Sequence, residues 1–225
     1  MPPTRRSAAI ALALVIPAPS IGALVSFWIA PGPIGLYVYG ICKAVLYLTP
    51  VFWSRLVDRE PLSLSPARRG GFGIGIASGL VISALIWCTW WVLGDRAIDI
   101  GAFKSVLEQN GLTTPAKYLF AAAWLTIVNA MLEEYAFRWF ITTRLEVLVQ
   151  RQAVWWAGAV FAAHHLIVLL KYLPAPTAVL ATAGIFVGGV FWSWLYRRSG
   201  SIWPAYVSHA IIDAAVMAIG WISLF

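Results

Sequence analysis

Eight ionisable side chains lie inside apolar runs of this 225-residue chain: Lys43, Glu133, Glu134, Arg138, His164, His165, His209 and Asp213. All but Lys43 fall in three of those runs, and every histidine of the chain is among them. A charge in hydrocarbon costs about 2.5–3.5 kcal/mol on insertion scales, so each needs a reason to be there. A carboxylate beside an imidazole can hold a water and take its proton. The activated water can attack an amide carbonyl, and a second imidazole with a polar neighbour can stabilise the oxyanion. These residue types suffice for peptide hydrolysis without a covalent intermediate.

Spacing divides the residues into three groups. In Glu133-Glu134-x-x-x-Arg138, Glu134 and Arg138 stand four apart with the acid first, the favourable order for an intrahelical ion pair. Glu133 points about 100° away from Glu134 on a regular helix and is left without a local partner. In Phe161-x-x-His164-His165, Phe161 and His165 share a face, so His165 is the histidine expected to point into a common site and His164 to support it. In His209-x-x-x-Asp213 an imidazole and a carboxylate lie side by side, and a carboxylate that accepts from one ring nitrogen leaves the other for chemistry. Each group also has a structural reading: a charge cluster at a helix end, a packed histidine, an interhelical clamp. Their comparable depth in three runs favours the joint catalytic reading. Lys43 has no role on this reading beyond pairing with a carboxylate of another span or facing a wet cavity.

These groups must be positioned by membrane helices. The chain is 61% apolar and 11% charged with mean hydropathy +0.81, against about 45–50% and about 25% in soluble domains. Thirteen Trp, eight Tyr and eleven Phe suit aromatic belts at two interfaces. Apolar runs cover residues 8–30, 34–53, 72–94, 118–143, 153–171, 177–196 and 203–224, each near the length a helix needs to cross the hydrocarbon. The expectation is an all-α integral membrane protein, a single polytopic domain over 1–225 of about seven transmembrane helices, with 118–215 as its catalytic core. Pro17 and Pro19 interrupt the first run, which reads as a kinked span or, with Arg5 and Arg6 before it, a signal peptide. With the N-terminus inside, ten Lys and Arg fall in inner segments and four in outer ones, so the positive-inside rule gives N-in and C-out. The net charge of +7 therefore reads as topology and contact with anionic lipid, not as a nucleic-acid surface. Ile98, Ile100, Phe103, Val106 and Leu107 form one apolar side of a short interfacial helix or belong to a plain loop. Cys42 and Cys88 form no C-x-x-C and no disulfide framework.

The three groups, in this order on separate apolar runs, resemble the CPBP family of CAAX-protease and bacteriocin-processing membrane proteins, also called the ABI family. The resemblance covers about 118–215. It implies a glutamate-type intramembrane endopeptidase that needs no metal or other cofactor. Glu133 and His165 would activate water, His209 and Asp213 would form the oxyanion site, and Glu134 and Arg138 would support them. Eukaryotic prenyl-protein members carry Asn where this chain has Asp213. An ionised Asp only accepts hydrogen bonds, so Asp213 is either protonated or orients His209, and the orienting role is the one expected. The implied partners are the lipid bilayer and a membrane-anchored or secreted protein or peptide substrate; the oligomeric state is not legible. Twelve Arg against four Lys point to a GC-rich bacterial genome and hence to a bacterial inner membrane.

Three other readings compete. Glu133, His165, His209 and Asp213 have the ligand types of a zinc protease, but no H-E-x-x-H occurs. Ser78 in Gly75–Gly79 (GIASG) would suit a serine protease, but Ile76 stands where a G-x-S-G motif needs Gly, and small residues there serve helix packing. A non-catalytic immunity, scaffold or proton-coupled transport protein would use the same buried groups, although no paired repeat is visible.

Overall fold

A computed structural model of the chain describes residues 3–63, 65–67, 69–97, 100–109, 111–112 and 114–225, with only the backbone at 95–97, 102, 103, 106 and 109. Among the described residues the secondary structure is helical throughout. The helices are α1 (Arg5–Ile29), α2 (Pro33–Val57), α3 (Phe72–Ala97), α4 (Ile100–Gln109), α5 (residues 115–149), α6 (Ala153–Tyr172), α7 (Ala175–Ser199) and α8 (Trp203–Leu224). Among the described residues, six helical stretches are long and apolar enough to cross a membrane. The longest, Pro115–Tyr172, spans 58 residues and holds two of the seven apolar runs, because Gln150 at φ 52° breaks it between α5 and α6. The short helix α4 replaces the alternative of a plain loop, while Ile98 and the side chains of Phe103 and Val106 lie outside the described residues, as does Arg68.

Local sequence explains where the helices start and stop. The Thr4 hydroxyl accepts from the Ser7 amide at 3.1 Å and caps α1; Thr114 does the same for α5. Pro33, Pro115 and Pro204 occupy first turns, where no amide hydrogen is needed. Gly200 ends α7 in the left-handed conformation at φ 66°. Within α1, the Ile16 amide still bonds to the Leu12 carbonyl at 2.9 Å, and the ladder lapses at Pro17, which has no amide hydrogen, while the backbone remains helical.

The polarity of the bundle is inverted relative to a soluble protein. Large apolar side chains face outward, among them Trp91 and Phe120, at 80% and 74% exposure, as suits lipid. Arg138, Glu134 and Arg144 are fully or nearly fully buried. A core of Leu12, Val15, Leu46, Phe137, Phe140, Ile141 and Phe161 joins α1, α2, α5 and α6, so α1 packs as part of the bundle.

Small residues set how closely the helices approach. A Cβ on Gly189 of α7 would lie 3.0 Å from the Cα of Gly158 in α6, and one on Gly75 of α3 only 2.2 Å from the Pro204 carbonyl oxygen of α8. Gly75 and Gly79 thus serve packing, and Ser78 between them bonds to the Gly75 carbonyl and to the Ser208 hydroxyl. A Cβ on Gly158 would meet the Val190 amide nitrogen at 2.9 Å. Gly158→Val is therefore expected to destabilise the protein by about 1–3 kcal/mol through overpacking, seen as a lower melting temperature in detergent.

One end of the bundle carries a buried polar clamp. Arg144 at the C-terminal part of α5 bonds to Asp58 just after α2 at 2.7 Å and to Ser54 in the last turn of α2 at 3.0 Å, and its guanidinium lies 3.6 Å over the Phe140 ring. Asp58 also accepts from Ser7 of α1, and Arg197 of α7 pairs with Glu146 at 2.5 Å. The start of α1 and the ends of α2, α5 and α7 are thereby gathered at one end, the alternation that helices crossing in turn require.

Candidate active site

The two acids sit in one regular turn, Ala130–Glu134, between wider π-helical stretches at Trp124–Asn129 and Tyr135–Thr142. Wider turns are stabilised here by local bonds, such as the Thr142 hydroxyl donating to the Phe137 carbonyl five residues back at 2.8 Å. π turns interrupt the 100° step of a helix and are frequent at functional sites. Adjacent in the regular turn, Glu133 and Glu134 point about 100° apart and reach different neighbours, and both are buried.

Glu134 is the hub. Arg138 Nε donates to its Oε2 at 3.0 Å, and a second guanidinium nitrogen reaches Oε1 at 3.3 Å. The intrahelical pair read from spacing is therefore formed. Arg138 also donates to the Gly189 carbonyl at 3.2 Å and Ser193 Oγ at 2.9 Å, tying α5 to α7. Oε1 of Glu134 then takes a third bond, from His209 Nδ1 of α8 at 3.0 Å. Asp213 was expected to orient His209, but its carboxylate lies 3.6 Å from Nε2, beyond hydrogen-bonding length. The bond that orients the ring comes from Glu134 because helix packing brings a fully buried, already anchored carboxylate to Nδ1. The ring is further held by Trp192 of α7, stacked on it with centroids 4.4 Å apart, while Trp192 Nε1 donates to Ser208.

Glu133 finds its partner on another helix. Lys43 of α2 lies 3.0 Å from its Oε1, and also bonds Asn129 at 3.1 Å and Tyr47 at 3.0 Å. His165, His164 and His209 all lie within electrostatic range of the Glu133 carboxylate. His165 Nδ1 lies 2.7 Å from the Phe161 carbonyl. A carbonyl only accepts, so Nδ1 carries the hydrogen and Nε2 presents a lone pair. Phe161 packs edge-on between the groups, 4.6 Å from the His165 ring and 5.8 Å from His209. Its other side meets the Arg138 guanidinium at 5.0 Å. His164 is buried and lies parallel to Phe137 at 5.7 Å, a packing position. No direct bond joins Glu133 to His165 among the described residues.

The structure thus brings all the sequence-derived residues into one electrostatic cluster. Among the described residues no three His, Cys, Asp or Glu side chains converge in a way that could hold a metal ion. Residues 115–215 match the sequence model of a family described as type II CAAX prenyl endopeptidase, Rce1-like. Over this segment, a little under half of its length, the chain is similar to the Rce1-like family. No curated protein and no solved structure matches the chain. The Rce1-like segment contains every site residue proposed from sequence, and the match supports a protease embedded in a membrane.

Four contributors escaped the motifs. Lys43 and Tyr47 lie outside the Rce1-like segment, and Asn129 is an ordinary polar residue within it. The one available signal was Lys43, a lone cation in a span. Trp192 carried no signal, since aromatic residues are abundant throughout.

Proposed function

We propose that the chain is a glutamate-type intramembrane endopeptidase in which Glu133 and His165 activate water and His209 receives the developing oxyanion. The observation that carries this reading is the pairing of free acceptors in one cluster. Glu133 has one oxygen engaged with Lys43, and its Oε2 accepts from no described residue. His165 has its Nδ1 engaged with the Phe161 carbonyl, which leaves Nε2 as its acceptor. Two acceptors suit the two hydrogens of one water. One proton passes to Glu133, the hydroxide adds to the substrate carbonyl carbon, and the proton is returned to the amide nitrogen as the C–N bond breaks. His209 has spent Nδ1 on Glu134, so its Nε2 is the donor for the oxyanion when both ring nitrogens carry protons. Asp213 stands beside Nε2 without closing on it, which leaves that nitrogen available to substrate.

On this reading the substrate is a membrane-anchored or secreted peptide whose scissile bond reaches the buried cluster. A prenylated CAAX end, as named for the family, is one such substrate, and a bacterial precursor with a membrane tail is the one the Arg-rich composition favours. The protein would lie in a bacterial inner membrane with its N-terminus inside. Mass spectrometry of terminal peptides from membranes with wild-type protein or Glu133→Gln at equal levels tests the activity. New termini only with wild type are expected, and identical termini in both would overturn the reading.

A further inference from the structure

We propose that Lys43 is the positioning residue of the site, holding Glu133 so that its unbonded oxygen faces the water; this rests on the proteolytic reading above. Lys43 lies on α2, outside the family segment, yet its ammonium makes three contacts that converge on the acid. Glu133 Oε1 lies at 3.0 Å, Asn129 Oδ1 at 3.1 Å and Tyr47 OH at 3.0 Å. The Tyr47 hydroxyl in turn donates to Asn129 at 2.9 Å, closing a ring of three groups around the ammonium. Asn129 precedes Glu133 by one turn of α5, so the same helix face grips the ammonium twice. The aromatic rings of Tyr39 and Tyr47 lie 5.7 and 5.3 Å from Nζ and give it a cation–π floor.

This arrangement does two things. An ammonium has only donors, so every contact Lys43 makes is to an acceptor, and Glu133 is the charged one. One carboxylate oxygen is thereby fixed, and the carboxylate plane is set by a helix other than its own. The charge match also lets an acid remain in a nearly sealed site, with its side chain 5% exposed and that of Lys43 18% exposed. Glu134 cannot share this task, because its oxygens are taken by Arg138 and His209. The two adjacent acids are thus divided between two cations, one for the base and one for the scaffold.

The test follows the wild-type-specific termini in membranes containing Lys43→Met, Lys43→Arg and Tyr47→Phe at matched protein level and matched melting temperature. Lys43→Met is expected to reduce those termini about 100-fold, the scale of a misplaced catalytic group. Lys43→Arg, which restores a donor cation, is expected to recover at least about a tenth of the wild-type level, a rescue a purely structural contact would not require. Tyr47→Phe keeps the charge and loosens its cradle, and a few-fold reduction is expected. Wild-type levels in Lys43→Met would overturn the positioning role and leave the proteolytic reading standing. Should Lys43→Met fail to fold, wild-type levels in Tyr47→Phe together with no recovery in Lys43→Arg would overturn it. Termini in wild type no different from those in Glu133→Gln would overturn the proteolytic reading and the positioning role together.

Discussion

Glu133→Gln is expected to retain the fold and to slow hydrolysis by about 10³-fold or more. Gln preserves the size of the side chain and an oxygen that can still accept from Lys43, so α2 and α5 keep their contact. It cannot take a proton from water. The buried acid next to it does not substitute, since Glu134 is fully committed to Arg138 and His209. A single-turnover cleavage assay on purified protein in bilayers checks the rate, and a melting curve checks the fold. Activity within ten-fold of wild type at an unchanged melting temperature would remove Glu133 from the role of base.

Arg138→Leu is expected to cost the fold about 3–5 kcal/mol, because it strands a fully buried carboxylate. Glu134 would keep His209 as its sole partner, and the Gly189 carbonyl and Ser193 would lose their donor to α5. The double variant Arg138→Leu with Glu134→Leu removes both charges, and much of the stability is expected to return, since a buried ion pair replaced by apolar groups is often neutral. Hydrolysis is expected to stay lost in the double variant, because His209 Nδ1 has no acceptor to orient the ring. Melting temperature and cleavage rate measured on the same samples separate the two effects. Recovery of both would reduce Glu134 to a structural role.

The relation between spacing and geometry is clearest at these residues. Contacts within one helix were legible: Glu134 with Arg138, and Phe161 on the face of His165, follow from four-residue separations. The seven apolar runs were legible too, because hydrocarbon demands length and composition alone. Contacts between helices were not. The sequence gives His209 a carboxylate four residues away, and no local rule says that an acid 75 positions earlier is hydrogen-bonded to it instead. Lys43 announces itself as a charge out of place, but not which of two neighbouring acids it serves. The π-helical stretches were invisible for the same reason: nothing in the residue types of Trp124–Asn129 marks a wider turn, whereas the 100° step between Glu133 and Glu134 holds because both lie in the regular turn Ala130–Glu134.

The ring around Lys43 has a consequence for biosynthesis. Lys43 is made 90 residues before Glu133 and 86 before Asn129, so it enters the bilayer long before its counter-ion exists. Tyr47, one turn further along the same helix, is the partner already present at that moment. A nascent α2 can therefore chaperone its own cation with a phenol until α5 is threaded beside it, and the step that pairs the cation is also the step that sets the acid.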